Sequence, residues 1–276
     1  MEKREKMSKL YIIPTPIGNL EDMTLRGIRI LSEVDLIACE DTRTSGILLH
    51  HYNIKTPKIS YHKHNERERS KELISRLKAG EKIGLISDAG MPGISDPGEI
   101  LIKKCQEEKI PVEVLPGPSA VLTAVVGSGC TNGKYYFYGF LPHKEGDKKK
   151  VLEELESFWD PIVFYESPHR LEKTLSLLYE VLGNRNIVIG RELTKVHEEY
   201  IRGRLSEFVA GEISYYPKGE FVLIIEGKEK EEREINIQEE LLRKINLGMK
   251  KSQAVKEVAK EFQLPKNNVY EESLKL

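Results

Sequence analysis

GLISDAGMPGISDPGEI, residues 84–100, sets four glycines, two prolines and two Ser-Asp pairs directly behind a short apolar run. Glycine admits torsions and close approaches that a side chain blocks, and proline fixes φ and removes a donor. Their alternation reads as a rigid loop with exposed backbone amides, built either to hold a ligand or to make a difficult turn. What surrounds it decides the fold. KIGLIS is one of four such runs in the first half, with LYIIP, VDLIAC and PVEVLPG, and helical patterns such as TLRGIRILSEV and RERSKELISRLKAG lie between them. Strand-like runs alternating with helices are the signature of βαβ units in a mostly parallel sheet. Thr24 is placed to cap a helix in which Leu25, Ile28 and Leu31 follow at helical spacing. Open sheets bind ligands at loops leaving the carboxyl ends of their strands, and both the glycine loop and PGPSA (116–120) hold such positions.

A second β-rich series follows: YYFYGF, PIVFYES, NIVIGREL, EEYIRGRL and EFVLIIEG. The expected class is α/β, with one α/β domain over 1–117 carrying the ligand loops and a second over 118–228. The two meet near PGPSA, with a cleft between them. A helical, basic extension over 229–276 completes the chain. It opens with a charge run, KEKEEREINIQEE, read as a solvated linker or helix start, and continues as two or three short helices around Gly248 and Pro265. Between Arg243 and Lys266, seven Lys/Arg stand against two Glu, a local net of +5. That fits a small helix-turn-helix facing phosphate, and equally a capping helical hairpin with a solvated face.

At 276 residues, 39% hydrophobic and 32% charged, the chain suits a soluble protein of two compact domains, or one large domain with an appendage. With a net charge of −1, a polyanion has to be met by a local basic patch. Cys39, Cys105 and Cys130 are odd in number and far apart, which argues against a disulfide framework and a cysteine zinc site and fits a reducing cytoplasm. The opening MEKREKMSK lacks the apolar core of a signal peptide. The uncharged stretch 114–133 is interrupted by Pro116, Pro118, Gly127 and Gly129, so a membrane span is not expected.

Familiar nucleotide motifs are missing. The first strand is followed by IPTPIGNLEDMTLRG rather than G-x-G-x-x-G, and Gly93 and Gly98 have phosphate-loop spacing but are followed by Glu99 and Ile100. No G-x-S-x-G elbow is present. His62 and His64 alternate as metal ligands on a strand do, but no second cluster follows, so a polar loop is the better reading and no metal is expected. In FYESPHRLEKTL (164–175), Ser167 as cap and Pro168 at the first helical position are good helix-start chemistry. That does not explain why Glu166, His169 and Arg170 gather at a strand's end. GRELTKVHEEYIRG (190–203) repeats the pattern with Arg191, Glu192, Lys195, His197 and Glu198, and the two clusters read as a substrate-facing rim.

Taken in order, PTPIGNLEDMTLRG, CEDTRTS, SDAGMPGISDPG, LPGPSA, YESPHR and GRELTK resemble the tetrapyrrole methylase superfamily, and within it the branch acting on ribosomal RNA. The likeness runs from about residue 10 to residue 227, and the basic tail is similar to that branch's helical extension. The first loop carries Pro14, Pro16 and Gly18 where the tetrapyrrole enzymes proper carry G-x-G-x-G, a departure that favours the RNA branch.

The resemblance implies S-adenosylmethionine-dependent 2'-O-methylation of a cytidine in the decoding centre of bacterial 16S rRNA, on free RNA or the 30S subunit. It also implies a homodimer with the cofactor in the interdomain cleft. By similarity, Asp88, Met91, Ile94, Ser119, Ala120, Tyr165 and Leu193 line the cofactor pocket with Pro14 and Gly18, while Gly90 and Gly93 let the backbone approach closely. A ribose hydroxyl is a weak acid, so a base is sought: Glu166 and His169 first, then Glu192 and Glu198. Phosphate contacts are expected from Arg26, Arg43, Lys63, Arg67, Lys148, Lys149, Lys150, Arg170, Lys195 and the tail, with Arg43 the best single candidate. HKEGDKKK (143–150) reads as a mobile contact loop or as a charged helix entry. A tetrapyrrole acceptor and a noncatalytic nucleic-acid-binding role are the competing functions.

Overall fold

In the computed structural model, which describes residues 8–131, 133–229, 236–262 and 264–276, the apolar runs of the first half become strands of one sheet. The elements are β1 (Lys9–Ile12), α1 (Leu25–Glu33), β2 (Leu36–Cys39), α2 (Thr42–His51), β3 (Lys58–Ser60), α3 (Glu66–Lys78), β4 (Lys82–Ile86), α4 (Glu99–Glu107) and β5 (Val112–Val114). The sheet order is β3-β2-β4-β1-β5 and every pairing is parallel. Thr24 caps α1 as expected, its hydroxyl accepting from Gly27 N at 3.0 Å. Helices α1 and α2 cover one face, packing Ile30, Leu31 and Leu49 on Ile13, Ile37 and Ile86. The other face receives Leu73 and Leu77 of α3 and Leu101 of α4, on Leu10, Ile12 and Ile83. Burial on both faces explains why β2 and, after Lys82, β4 are continuous apolar runs, while the edge strands β3 and β5 keep Lys58 and Glu113. Neighbouring β1 and β4 send their connections to opposite faces, which opens a crevice at their carboxyl ends.

The second series comprises α5 (Ala120–Ser128), β6 (Tyr136–Phe140), α6 (Glu145–Leu155), β7 (Ile162–Glu166), α7 (Leu171–Leu182), β8 (Asn186–Arg191), β9 (Glu199–Arg204), α8 (Leu205–Val209) and β10 (Phe221–Ile225). Its order is β6-β7-β10-β8-β9, with β6 and β7 parallel and the other pairs antiparallel. Because β10 runs backwards between β7 and β8, those two strands point the same way and deliver YESPHR and GRELTK to one edge. Side chains alternate strictly. Ile162 and Phe164 join α6, α7 and α8 on one face, whereas Val163 and Tyr165 join α5 and Ile17 on the other.

Of the two readings of HKEGDKKK, the structure has the charged helix entry into α6, in which the stem of Lys148 turns inward and its Nζ reaches Thr174 Oγ1 at 3.4 Å. One expectation fails locally. The helix after YES starts at Leu171, beyond Pro168. Ser167 O instead accepts from Arg170 N at 3.1 Å, closing a turn, as the Arg170 guanidinium reaches Leu141 O and Pro142 O at 2.7 and 3.2 Å.

Residues Met1–Lys228 and Glu229–Leu276 are separate compact units. The second consists of α9 (Ile237–Asn246), α10 (Lys251–Glu261) and α11 (Lys266–Leu274), closed around Leu241, Ala254, Val255, Val258 and Val269. Lys244 is bound to Glu261 at 2.7 Å and to Glu257 at 3.6 Å. Residues 230–235 of the KEKEEREINIQEE run, and the opening MEKREKM, lie outside the described residues. Among the described residues no helix is long and apolar enough to cross a membrane.

Candidate functional site

The loops that follow β1 and β4 are stitched together. Thr15 and Gly90 exchange two backbone hydrogen bonds of 2.9 Å, and the Thr15 hydroxyl donates to Ser87 O at 3.0 Å. The glycine loop then folds flat on itself: Gly93 has φ +82° and Gly98 φ +153°, and a Cβ on Gly98 would stand 3.0 Å from Gly93 Cα. A side chain at either position would prise the loop open, so the sequence makes a difficult turn here and presents a ligand wall with it. The loop after β5 closes against the first, because a Cβ on Gly117 would lie 2.9 Å from Pro14 Cβ.

Ile17 is the hinge of the arrangement. It packs with Val121 and Leu193, and stands 3.4 Å from where a Gly90 Cβ would be. Ala120 and Tyr165 pack on the same cluster. Ser119 caps α5, its hydroxyl accepting from Leu122 N at 3.5 Å. Pro14, Gly18, Gly90, Ser119, Ala120, Tyr165 and Leu193 therefore meet on one surface, between the carboxyl ends of the first sheet and the α5 face of the second. Met91 instead packs on the core under α3 and α4, and Ile94 projects, 69% exposed.

The floor of this surface is acidic. Asp88 Oδ1 accepts from Asp41 N at 3.1 Å, and the Asp88 carboxyl is held above its ordinary pKa, chiefly by burial. Burial, and then Asp96 and Asp88, push Glu40 up, while burial raises Asp96 against the pull of Lys63. The Tyr165 phenol is pushed up to about 12, first by burial and then by Asp96. Phe137 and Phe140 stand around the Tyr165 ring at centroid distances of 5.0 and 5.3 Å. Carboxylates that are costly to ionise, beside an aromatic wall, suit a ligand carrying positive charge next to an apolar or aromatic body. Sequence reasoning missed Glu40 and Asp96, although each sits inside a quoted motif, next to Asp41 and in the second Ser-Asp pair.

The loop after β8 forms the opposite wall. Glu192 and Thr194 have φ +50° and +66°, strained values for residues other than glycine, costing on the order of 1–3 kcal/mol each. Bonds around them offset that cost. Glu192 Oε1 takes Lys195 Nζ at 2.8 Å and Glu220 N at 2.9 Å, Lys195 also reaches Glu220 at 3.2 Å, and Glu198 Oε2 takes Thr194 N at 2.6 Å. Glu192 and Glu198 are thus engaged in holding this loop.

Glu166 is a correction. The pleat of β7 turns it away from Tyr165 and into the α7 side, where it is 3% exposed, with Oε1 accepting from Ser167 N at 2.8 Å and Oε2 from Thr174 Oγ1 at 2.7 Å. Arg170 Nε adds an ion pair at 3.2 Å. Its lone pairs are spent on the frame, which removes it as a base reaching the cleft. His169 is exposed on the turn.

Of the basic residues, Arg26, Arg43, Lys63, Arg67, Lys149 and Lys150 are exposed. Lys149 pairs with Glu180 at 2.7 Å, and Arg43 with Asp41 at 2.7 Å. Lys148 is a second correction: at 7% exposure it is buried beside Thr174 and offers nothing to a polyanion. Arg170 is turned toward Leu141 and Pro142, and Lys195 toward Glu192 and Glu220.

A family model described as Tetrapyrrole (Corrin/Porphyrin) Methylases matches residues 9–209. The chain belongs to the tetrapyrrole methylase family. Within that family it is 45% identical to "Ribosomal RNA small subunit methyltransferase I" of Synechocystis sp. over 275 residues, covering 98% of this chain and 99% of that protein. It is 44% identical to the protein of the same name from Bacillus subtilis, covering 97% and 94%. Among solved structures, the tetrapyrrole methylase fold described above superposes on uroporphyrin-III C-methyltransferase from Thermus thermophilus complexed with S-adenyl homocysteine. That match has a TM-score of 0.57 at 18% identity, over 79% of this chain and 97% of that one.

Proposed function

We propose that this tetrapyrrole methylase transfers a methyl group from S-adenosylmethionine to small-subunit ribosomal RNA, at the 2'-oxygen of a cytidine in the decoding centre of bacterial 16S rRNA. The observation that carries the reading is the cluster of Glu40, Asp88 and Asp96 at the glycine loop, with Asp96 near Tyr165. The names of the two relatives, similar over nearly their whole length, supply the acceptor class. The S-adenyl homocysteine in the Thermus structure's title supports the donor.

The residues fit that donor. Gly93 and Gly98 leave a backbone wall free of Cβ atoms, the carboxylates complement a sulfonium and an ammonium, and Tyr165, Leu193 and Ile17 offer apolar surface. Bound there, the cofactor supplies an electrophilic methyl on sulfur. The protein's part is to hold the acceptor oxygen in line behind that methyl, which by itself lowers much of the barrier. His169, exposed on the turn between β7 and α7, is the acid–base candidate, and its side chain makes no hydrogen bond among the described residues. Arg43, Lys63, Arg67 and Arg26 hold phosphates, with Lys149, Lys150 and the helical unit as further contacts. Residues 1–117 and 118–228 act as the two cofactor-binding domains, the enzyme works as a cytoplasmic homodimer, and no metal enters the reaction.

Labelled methyl transfer to purified 30S subunits and to protein-free 16S rRNA, with nuclease mapping of the product, tests the proposal. One 2'-O-methylated cytidine is the expected result. Transfer to neither RNA by a protein that binds the cofactor overturns the acceptor, and transfer to a tetrapyrrole in its place would establish the competing chemistry.

A further inference from the structure

Strand β6 carries an extra residue against β7. The register pairs Phe137 with Val163, then Gly139 with Phe164 and Phe140 with Tyr165, so Tyr138 is inserted as a bulge. In an unbroken strand Phe140 would share the face of Tyr138, whose ring lies 5.8 Å from that of Phe164 in the core beneath α6 and α7. The bulge moves Phe140 to the other face, onto the side of Phe137 and Tyr165, and alternation then returns Leu141 to the core at 2% exposure.

Gly139 makes the shift possible. It has φ +90°, and an added Cβ would stand 3.7 Å from Ser95 Oγ, an ordinary contact, so the torsion rather than the space calls for glycine. The same distance sets the bulge against the glycine loop, beside Asp96. Beyond the bulge the chain is pinned, because Arg170 donates to Leu141 O and Pro142 O.

The outcome is an open ring on a fixed mount. Phe140 is 56% exposed and 5.3 Å from the Tyr165 ring, whereas Phe137 and Tyr165 are half-buried and pack on the α5 core. Single exposed phenylalanines are ordinary, but bulges recur beside active sites, where they re-aim a side chain. A donor held against Tyr165 and the acidic floor leaves the outer ring to a molecule arriving from solvent. Lys63, one of the cations assigned to phosphate, acts electrostatically on Asp96, as Asp96 does on Tyr165, so positive charge and a bare aromatic face lie on the same side of the cleft.

We propose that Phe140 is the stacking face for the base of the acceptor nucleotide, holding it unstacked while its ribose oxygen meets the methyl group. This rests on the RNA acceptor proposed above. An enzyme acting on a nucleotide within folded RNA has to draw it out of its stack, and an aromatic ring replaces the lost neighbour without reading the base's edge.

Phe140→Ala is expected to lower kcat/KM for methyl transfer to the RNA the parent methylates, 30S subunits or protein-free 16S rRNA, by about 5- to 150-fold, the range of one base–aromatic stack removed. The salt slope of RNA binding should stay as in the parent, since no phosphate contact is lost. Calorimetric affinity for S-adenosylhomocysteine and the thermal midpoint should stay close to the parent's. Phe140→Trp should keep the activity, and Phe140→Leu, apolar and of similar size but without a π face, should not. Parental kcat/KM in Phe140→Ala overturns the inference, as does parental kcat/KM in Phe140→Leu, because any apolar side chain would then suffice. A loss confined to S-adenosylhomocysteine affinity gives the ring to the donor and overturns it as well. A parent protein that binds S-adenosylhomocysteine yet methylates neither RNA overturns the acceptor reading itself, and the stack with it.

Discussion

The backbone amide of Asp41, at the end of β2, donates to Asp88 Oδ1, at the end of β4, at 3.1 Å. The Asp41 carboxylate meanwhile accepts from Arg43 N at 2.7 Å and Arg43 Nη2 at 2.7 Å. One residue thereby joins the acidic floor to an arginine whose side chain is 90% exposed on the rim. The glycine loop and the rim proposed to face RNA are thereby tied to each other through Asp41.

Replacing Asp88 by Asn keeps an acceptor for the Asp41 amide and removes the charge. S-adenosylmethionine affinity is expected to fall by about 10- to 100-fold, the range of a lost charge-assisted contact. Calorimetry checks this, and parental affinity in Asp88→Asn would remove the carboxylate from the site.

The floor also sets a pH dependence. Glu40, Asp88 and Asp96 have raised values in the folded protein, so their contribution to stability is full below the ordinary carboxylate range and shrinks as pH rises through the raised values. Asp41 works in reverse: hydrogen bonds from Arg43 lower it to about 2, and its support, full above its ordinary value, is lost as pH falls from there through the lowered one. Cofactor affinity is expected to decline on acidification through the raised carboxylate range, before the fold itself weakens. Thermal midpoints and calorimetric affinities over one pH series would show the two curves separating. Curves that fall together would count against the acidic floor.

Arg43→Ala is expected to weaken RNA binding and to lower the slope of log affinity against log salt by about 0.7–1, the share of one phosphate contact. Cofactor affinity should stay as in the parent. An unaltered slope would exclude Arg43 from the RNA path.

Glu166→Gln breaks a buried junction that ties β7 to α7 through Ser167, Thr174 and Arg170. A destabilisation of about 1–3 kcal/mol in denaturant melts is expected, with kcat per folded molecule and its pH profile unchanged. A lost alkaline or acidic limb of that profile would return Glu166 to a chemical role.

Gly98→Ala sets a Cβ 3.0 Å from Gly93 Cα at a φ of +153°. The strain, about 1–3 kcal/mol, should appear chiefly as weaker cofactor binding because the loop opens locally. Protection of the loop amides in hydrogen exchange would report it.

The parallel first sheet was legible because its central strands are apolar runs and helical patterns lie between them, two of those helices, α1 and α2, being capped by Thr24 and Asp41. β3 was not, since three residues at a sheet edge carry too little pattern to stand out beside the polar HKH turn. In the site, glycines and prolines announced the loops, whose backbone geometry is encoded locally. Charged side chains were harder. The letters of YESPHR and HKEGDKKK look alike whether they face solvent or the protein, and only the pleat of β7 and the packing of α6 on α7 decide that Glu166 and Lys148 turn inward. Glu40 and Asp96 become notable only once two distant strand ends are side by side.

The strict alternation along β7 works as a partition. Val163 and Tyr165 face α5, and Ile162, Phe164 and Glu166 face α7, within five consecutive residues. Of the five, Tyr165 alone is not fully buried, whereas Val163 is sealed in the core beneath α5. A library randomising Tyr165 would explore altered ligand preference on an intact frame, while the same diversity moved by one residue to either neighbour would mostly yield chains that never assemble.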